Sequence, residues 1–232
     1  MMLKPKEKSM PIELLPERKN PALRKKELIQ NFKKYVDDFY WNCKFQFRCY
    51  YRYKTVLNGV RKYKKRGELF SDSHFLEKVY QTLDAWMGRR KAKLVDFKKF
   101  QNIVRDSPLE RLDYLSQFKL NECADEKWDR IKSELRDLFE KLQVMDQKSQ
   151  LVGVSKLLHF MLPDLVPPID NNYILKFFGG PRPQETARFL EILDEFRAIS
   201  KELNLTGKDC EREWDTSIPK LIDNAIVGFY SK

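Results

Sequence analysis

The feature that most limits the fold of this chain is an apolar repeat of three and four residues, which extends from about residue 22 to the C-terminus. That spacing places apolar side chains on one face of an α-helix, whereas a strand needs alternation of period two. No pair of strand-like segments with a two-residue hairpin turn interrupts it. The sequence therefore predicts an all-α protein. The repeat is clearest at Trp128, Ile131, Leu135, Leu138, Leu142 and Met145, at Phe189, Ile192, Leu193, Phe196 and Ile199, and at Ile218, Leu221, Ile222, Ala225, Ile226 and Phe229.

The prolines, glycines and serines that interrupt the apolar repeat predict where the helical regions begin and end. Residues 1–21 contain four prolines and are expected to form an extended lead-in, and residues 22–232 a single helical domain, with two helical lobes as the alternative. A helical region from about residue 22 to residue 64 is expected to break at Asn58-Gly59 or at Gly67. The next helix is expected to have Ser71 or Ser73 as its N-cap.

The same sequence argues against several classes of protein. The chain lacks the roughly 18 uninterrupted apolar residues of a membrane span and the apolar run of a signal peptide, so we expect a cytoplasmic protein. Its cysteines form no CxxC pair and are expected to be buried free thiols in a reducing compartment, with a disulfide between Cys43 and Cys49 as the alternative. No cofactor is predicted, and a zinc or iron–sulfur site is not expected. The residues that could have formed one are Cys43, Cys49, Cys123, Cys210, His74 and His159.

The net charge of +11 is concentrated near the N-terminus. Residues 1–70 contain 19 Lys and Arg against 7 Asp and Glu, a net of +12, so the other 162 residues carry about −1. A cluster of cations without nearby carboxylates attracts phosphates through charge and counterion release. The cluster therefore indicates an acidic partner such as nucleic acid, with a merely solvated face of the protein as the alternative. The densest cluster, called the basic run below, is Arg61, Lys62, Lys64, Lys65 and Arg66.

Aromatic residues precede the basic run, and their faces could stack on unpaired bases. Phe32, Tyr35 and Phe39 recur at helical spacing, as do Phe47 and Tyr50. This spacing favours a role in the core, with the cations on the solvated side.

The segment VGVSKLLHFMLPDLVPPID, residues 152–170, combines an apolar helix with two charged residues, Lys156 and Asp170. Its apolar stripe leaves Ser155, Lys156 and His159 on the other side, so Lys156 need not be buried by this helix. The prolines must end the helix, because each proline disfavours helical geometry in the residue before it. Asp170 then precedes NNYILKFFGG, a short helix with a glycine end, and is a natural N-cap.

The residues GVSK, followed by PPID at the start of another helix, resemble the core of the helix-hairpin-helix DNA glycosylases of the 8-oxoguanine glycosylase type. In that superfamily a hairpin precedes a helix with a nucleophilic lysine, and an aspartate follows at the start of the next helix. The resemblance covers some twenty residues, and the glycine pair of the hairpin is reduced here to Gly153, with Ser155 where a further small residue is usual. The segments LDAWMGRRKAKLVDFKKF and SKLLHFMLPDLVPPIDNNY also resemble a family of uncharacterised prokaryotic proteins.

The resemblance implies that Lys156 is the nucleophile and Asp170 the catalytic carboxylate, with Gly153 and Ser155 in the hairpin that grips the DNA backbone. In such a reaction a neutral amine attacks C1′ of a flipped nucleotide and leaves a Schiff base. His159 could contact a phosphate or a base, or be a structural histidine.

Three functions remain open from the sequence. The first is a DNA glycosylase, with or without AP lyase activity, that removes a damaged base such as an oxidised purine. The second is a non-catalytic helical module that binds nucleic acid. The third is a helical protein-interaction module whose basic face meets an acidic partner. The residues alone also allow a simpler account, in which Lys156 is an ordinary exposed lysine and Asp170 caps a helix.

Overall fold

The structure, a computed structural model, describes residues 20–43, 47–87 and 93–231. Within these residues the chain is predominantly helical, as predicted, and one isolated antiparallel bridge joins Leu94 to Met145. The predicted lead-in lies outside the described residues as far as residue 19. The α-helices are α1 (Pro21–Gln30), α2 (Phe32–Asn42), α3 (Phe47–Lys62), α4 (Arg66–Ser71), α5 (Ser73–Met87), α6 (Phe97–Arg105), α7 (Glu110–Leu115), α8 (Asp125–Lys141), α9 (Leu151–Met161), α10 (Glu185–Glu202) and α11 (Ile218–Tyr230), with a π-helical turn at Asn171–Leu175 and a 3₁₀ turn at Gly207–Asp209.

The predicted break at Asn58-Gly59 is wrong, because both residues lie within α3. A Cβ atom at Gly59 would come within 2.5 Å of Phe75 Cε2 on α5. This glycine therefore allows α3 and α5 to pack closely and does not end a helix. The alternative at Gly67 is close to a real break, since α3 ends at Lys62 and α4 begins at Arg66, and the region also breaks at Asn31, between α1 and α2.

The N-cap predicted at Ser71 or Ser73 is the residue between them. Asp72 Oδ1 accepts a hydrogen bond from the backbone N–H of Phe75 at 2.7 Å, in the manner of an N-cap. The Ser71 hydroxyl instead donates to the carbonyl of Gly67 within α4. A single aspartate thus separates the end of α4 from the start of α5.

The apolar stripes of the later helices pack together as the repeat predicts. The residues named above on α8, α10 and α11, and those just after α8, are all buried, and they belong to one contiguous apolar cluster that extends from Leu28 of α1 to Phe229 of α11. Pro219 lies in the first turn of α11, where its missing N–H costs nothing, and Ser217 caps that helix. This packing fixes α9 and α11 as the two helices that carry the candidate site.

Helix α9 is buried on both its apolar and its polar side. From Gly153 to Met161 all its residues are buried, including Ser155, Lys156 and His159 on the side opposite the apolar stripe. Its polar side takes hydrogen-bond partners from Tyr53 and Trp86, which are distant in sequence, and from Val166 in the loop that follows. Lys156 is therefore not an ordinary exposed lysine.

The four cysteines are free thiols, as predicted, but Cys43, Cys49 and Cys210 are only partly buried, whereas Cys123 is buried. In the part of the chain that the structure describes, no helix has the length and apolar character to cross a membrane.

Candidate active site

The loop after α9 is fastened to the polar side of that helix. Its residues leave helical geometry at residues 162–170, as the prolines predict. The Ser155 hydroxyl accepts a hydrogen bond from the N–H of Ile169 at 3.2 Å, and His159 Nδ1 lies 2.7 Å from the carbonyl of Val166. These two contacts, one on each side of the double proline, hold the loop in one position and so fix Asp170 relative to α9.

Asp170 is the N-cap of the next helical segment, which confirms that prediction. Its Oδ1 accepts hydrogen bonds from the N–H groups of Asn172 and Tyr173 at 2.8 and 2.7 Å. The segment opens with the π-helical turn and ends at Gly179 and Gly180, which both have positive φ, as a glycine C-terminal signal requires. The other oxygen of Asp170, Oδ2, takes no part in the cap.

Lys156 and Asp170 line the same cleft, which has a volume of about 230 Å³ and is called the Lys156 cleft below. The Lys156 side chain enters it from α9, and Asp170 enters from the end of the proline loop. The other residues that line the cleft are Cys49, Ala85, Trp86, Met87, Pro168, Asn172, Tyr173, Trp214, Lys220, Asp223 and Val227.

The Lys156 amine is held at the edge of this cleft. Lys156 is 9% exposed, and its Nζ donates a hydrogen bond to the backbone carbonyl of Trp86 at 3.2 Å. Asp223 lies within electrostatic reach of both Lys156 and Asp170. The amine is thus directed into a confined space that also contains carboxylates.

A buried polar network on α11 forms another part of the cleft. Lys220 Nζ donates to Asp223 Oδ2 at 2.5 Å and to Asn224 Oδ1 at 2.6 Å. Asn224 Nδ2 in turn donates to Asp215 Oδ1 at 2.7 Å. Burial raises the pKa of the Asp223 carboxyl, while the neighbouring Lys220 opposes that shift. Each buried charge in this network therefore has a hydrogen-bonding partner, as burial requires.

Aromatic side chains supply flat apolar surface in the Lys156 cleft. Trp86, Trp214 and Tyr173 line it. Behind them lies the fully buried Tyr53, whose ring centroid is 4.8 Å from that of Trp86 and 6.2 Å from that of Trp214. The ring planes of Tyr53 and Trp214 are nearly parallel, at 12°. The two tryptophans are therefore fixed by a common neighbour.

His159 is a structural histidine, which is the second of the two roles that the sequence allows. The Val166 carbonyl can only accept, so His159 Nδ1 carries the proton and Nε2 accepts from the Tyr53 hydroxyl at 2.8 Å. The Tyr53 oxygen then accepts from Thr216 at 2.7 Å. Burial lowers the pKa of His159 to about 3, which agrees with a neutral imidazole. Both ring nitrogens are used within the core, where no phosphate can reach them.

Gly153 and Ser155 do not form an exposed hairpin, since both lie buried in the first turns of α9. A Cβ atom at Gly153 would collide with the Met145 side chain, so close packing accounts for this glycine. The Glu185 carboxylate accepts from the N–H groups of Gln150 and Leu151 at 2.7 and 3.2 Å. An anion of the protein thus already occupies the N-terminus of α9, where a phosphate would otherwise bind.

The basic run divides into two kinds of cation. Arg61 and Arg66 donate to backbone carbonyls, of Thr216 and Val60 respectively, and serve the fold. Lys65 pairs with Glu68 at 2.6 Å, so a carboxylate does balance part of the run, contrary to the prediction. Lys62 and Lys64 are exposed on either side of Tyr63, which is 57% exposed.

The basic run does not line the Lys156 cleft. Arg61 contributes instead to a second cleft of about 420 Å³, together with Lys54, Asp164 and Asp215. The aromatic residues near the run are also divided: Tyr35 and Phe39 are buried, as predicted, whereas Trp41 and Tyr51 are exposed. Any nucleic acid on this face would thus meet lysines and tyrosines outside the cleft.

Apart from Lys156 and Asp170, the residues that line the cleft were not predicted from the sequence, and they include two tryptophans and two charged residues of α11. Trp86 and Trp214 lie far from residues 152–170 in the chain, and nothing local links them to that segment. Lys220 and Asp223 lie in a helix whose apolar spacing predicts only a role in the core. A signal was present, because they are charged and three residues apart near the start of an otherwise apolar helix.

No family model matches this sequence, and no curated protein or solved structure matches it either.

Proposed function

We propose that the protein is a DNA glycosylase with AP lyase activity and that Lys156 is its nucleophile. The observation that carries the proposal is the Lys156 cleft, in which an amine and a carboxylate share a confined space with aromatic walls. A nucleobase is flat and apolar on its faces, so Trp86 and Trp214 suit it. The cleft is smaller than the roughly 300–1,000 Å³ of drug-sized sites and suits one flipped nucleotide.

The proposed reaction assigns a separate task to each side chain. The Lys156 amine attacks C1′ of the flipped nucleotide, and the base departs. Asp170 stabilises the positive charge that develops on the sugar. The two hydrogen bonds that Oδ1 accepts in the cap hold the carboxylate in place.

The direct test is excision of a damaged base. A duplex with one 8-oxoguanine, and matched duplexes with uracil or an alkylated purine, are incubated with the protein and resolved for released base and strand cleavage. We expect release and cleavage with at least one of them. If every duplex is bound and none is processed, the protein is the non-catalytic nucleic-acid-binding module instead.

The contribution of Asp170 can be separated from that of its cap. Asn is as good an N-cap as Asp, so Asp170→Asn is expected to leave the free energy of unfolding nearly unchanged while the excision rate falls by about a hundredfold or more. Asp170→Ala should lose the same activity and also about 1 kcal/mol of stability. Denaturant unfolding and single-turnover excision measure the two quantities. An Asp170→Asn protein as fast as the wild type would reduce Asp170 to a cap.

A binding face is favoured by one specific observation, the exposure of Lys62 and Lys64 beside Tyr63. Replacing both lysines by Gln should lower the slope of log affinity for DNA against log salt by about two units, one for each lost phosphate contact. The matched control replaces Lys141 and Lys148, two exposed lysines at and beyond the end of α8. Equal slopes in the two double variants would show that this face does not meet the DNA backbone. Salt-independent or absent DNA binding would favour the acidic protein partner.

A further inference from the structure

Helix α11 brings a second amine into the Lys156 cleft, and the two amines are held differently. Lys220 donates to the carboxylate of Asp223 at 2.5 Å and to Asn224 at 2.6 Å. Lys156 donates to the backbone carbonyl of Trp86. Lys220 thus has a carboxylate among its direct partners.

The proposed reaction needs two amines in opposite protonation states. The lone pair of the Lys156 nitrogen forms the bond to C1′, the bond between C1′ and the base nitrogen breaks, and its electron pair goes to that nitrogen. The base then leaves as an anion unless it receives a proton. A nucleophile must be neutral and an acid must carry the proton, so one amine cannot do both in the same step.

We propose that Lys220 is the general acid that protonates the departing base, an assignment that rests on the proposed function. The Lys220 ammonium gives one proton to the base nitrogen and becomes a neutral amine, while the Lys156 nitrogen becomes positively charged as it bonds to C1′. The positive charge therefore moves from one lysine to the other. Lys220 regains a proton from water after the base has left.

The position of Asp223 supports this transfer. This carboxylate contacts Lys220 directly and lies within electrostatic reach of Lys156. A buried carboxylate without a cation is costly, and Asp223 keeps a cation nearby before and after the step. Lys220 also lines the cleft itself, so its proton can reach a base bound between the aromatic walls.

The test separates departure of the base from attack on C1′. One duplex contains 8-oxoguanine, or whichever base the wild type removes, and a second contains a preformed abasic site, from which no base has to leave. Lys220→Arg keeps the positive charge and the pair with Asp223, but a guanidinium does not give up its proton. We expect excision of the base to fall by about a hundredfold or more, while borohydride trapping on the abasic duplex stays within about threefold of the wild type.

A second variant covers the case in which arginine does not fit. Lys220→Met combined with Asp223→Asn removes the proton donor without leaving a lone buried carboxylate. We again expect slow excision of the base, with borohydride trapping on the abasic duplex close to the wild-type level. Lys176→Gln, an exposed lysine beside Tyr230, serves as the control that changes neither reaction.

Three results would overturn the assignment. Excision at the wild-type rate by either Lys220 variant would make Lys220 structural. Loss of trapping on the abasic duplex by both folded variants would mean that Lys220 shapes the cleft and does not donate a proton. A wild type that processes neither duplex would remove the proposed function itself, and the role of Lys220 with it.

Discussion

Lys156→Gln is expected to abolish the borohydride-trapped adduct between the protein and a duplex with a damaged base, with a decrease of about a thousandfold or more. The Schiff base exists only if an amine has attacked C1′, and Gln has no such amine. The Gln amide can still donate to the carbonyl of Trp86, so the fold should be retained. On the proposed function, DNA affinity should change little, because the proposed binding face beside Tyr63 lies outside the cleft.

The measurement is denaturing electrophoresis of labelled duplex after reduction, with DNA affinity recorded in parallel. Lys176→Gln is the matched control and should give the full adduct. If Lys156→Gln still gives the adduct, another amine is the nucleophile, and Lys220 becomes the first alternative. If the wild type gives neither adduct nor released base with any lesion, residues 152–170 form a scaffold and the non-catalytic functions stand.

The helices could be predicted because each depends on neighbours in sequence. The stripes of α8, α10 and α11 follow from spacing alone, and so does the N-cap at Asp170, whose partners are two and three residues away. The error at Asn58-Gly59 has a different origin. Gly59 is required by Phe75, a residue on another helix, and no local pattern reports that contact.

The burial of α9 could not be predicted for the same physical reason. Ser155, Lys156 and His159 have polar atoms that would normally face water. They are buried because Ile169, Val166, Tyr53 and Trp86 supply hydrogen-bond partners, and two of these lie 70 or more residues away. A polar residue can be expected to face solvent only where the fold supplies no hydrogen-bond partner for it.

The candidate site was accessible to sequence reasoning only in part. Lys156 and Asp170 stand 14 residues apart and are linked by a loop whose geometry the prolines restrict. Lys220 and Asp223 enter the cleft from α11, which reaches it through packing on α2 and the π-helical turn. The basic run shows the opposite error. Its charge predicts a binding site, but Arg61 and Arg66 donate hydrogen bonds to backbone carbonyls of the protein.

The packing of α11 on α2 depends on one glycine, and Gly228→Ala is expected to destabilise the protein by about 3 kcal/mol or more. A Cβ atom at Gly228 would collide with the carbonyl of Tyr35 and lie 2.9 Å from the backbone N of Phe39. Backbone atoms within a helix cannot rotate away as a side chain can. Helix α11 must therefore move outward, and it carries Lys220 and Asp223 with it.

The matched control is Gly207→Ala, where the added Cβ would have no heavy atom within 4 Å. That change should alter the free energy of unfolding by no more than about 0.5 kcal/mol. Denaturant unfolding of both variants, followed by far-UV circular dichroism, measures the difference. Because α11 forms part of the Lys156 cleft, any Gly228→Ala protein that remains folded should also lose excision more than it loses DNA affinity. A Gly228→Ala protein as stable as the control would mean that α2 and α11 do not approach each other at this point, and the placement of Lys220 in the cleft would fail with it.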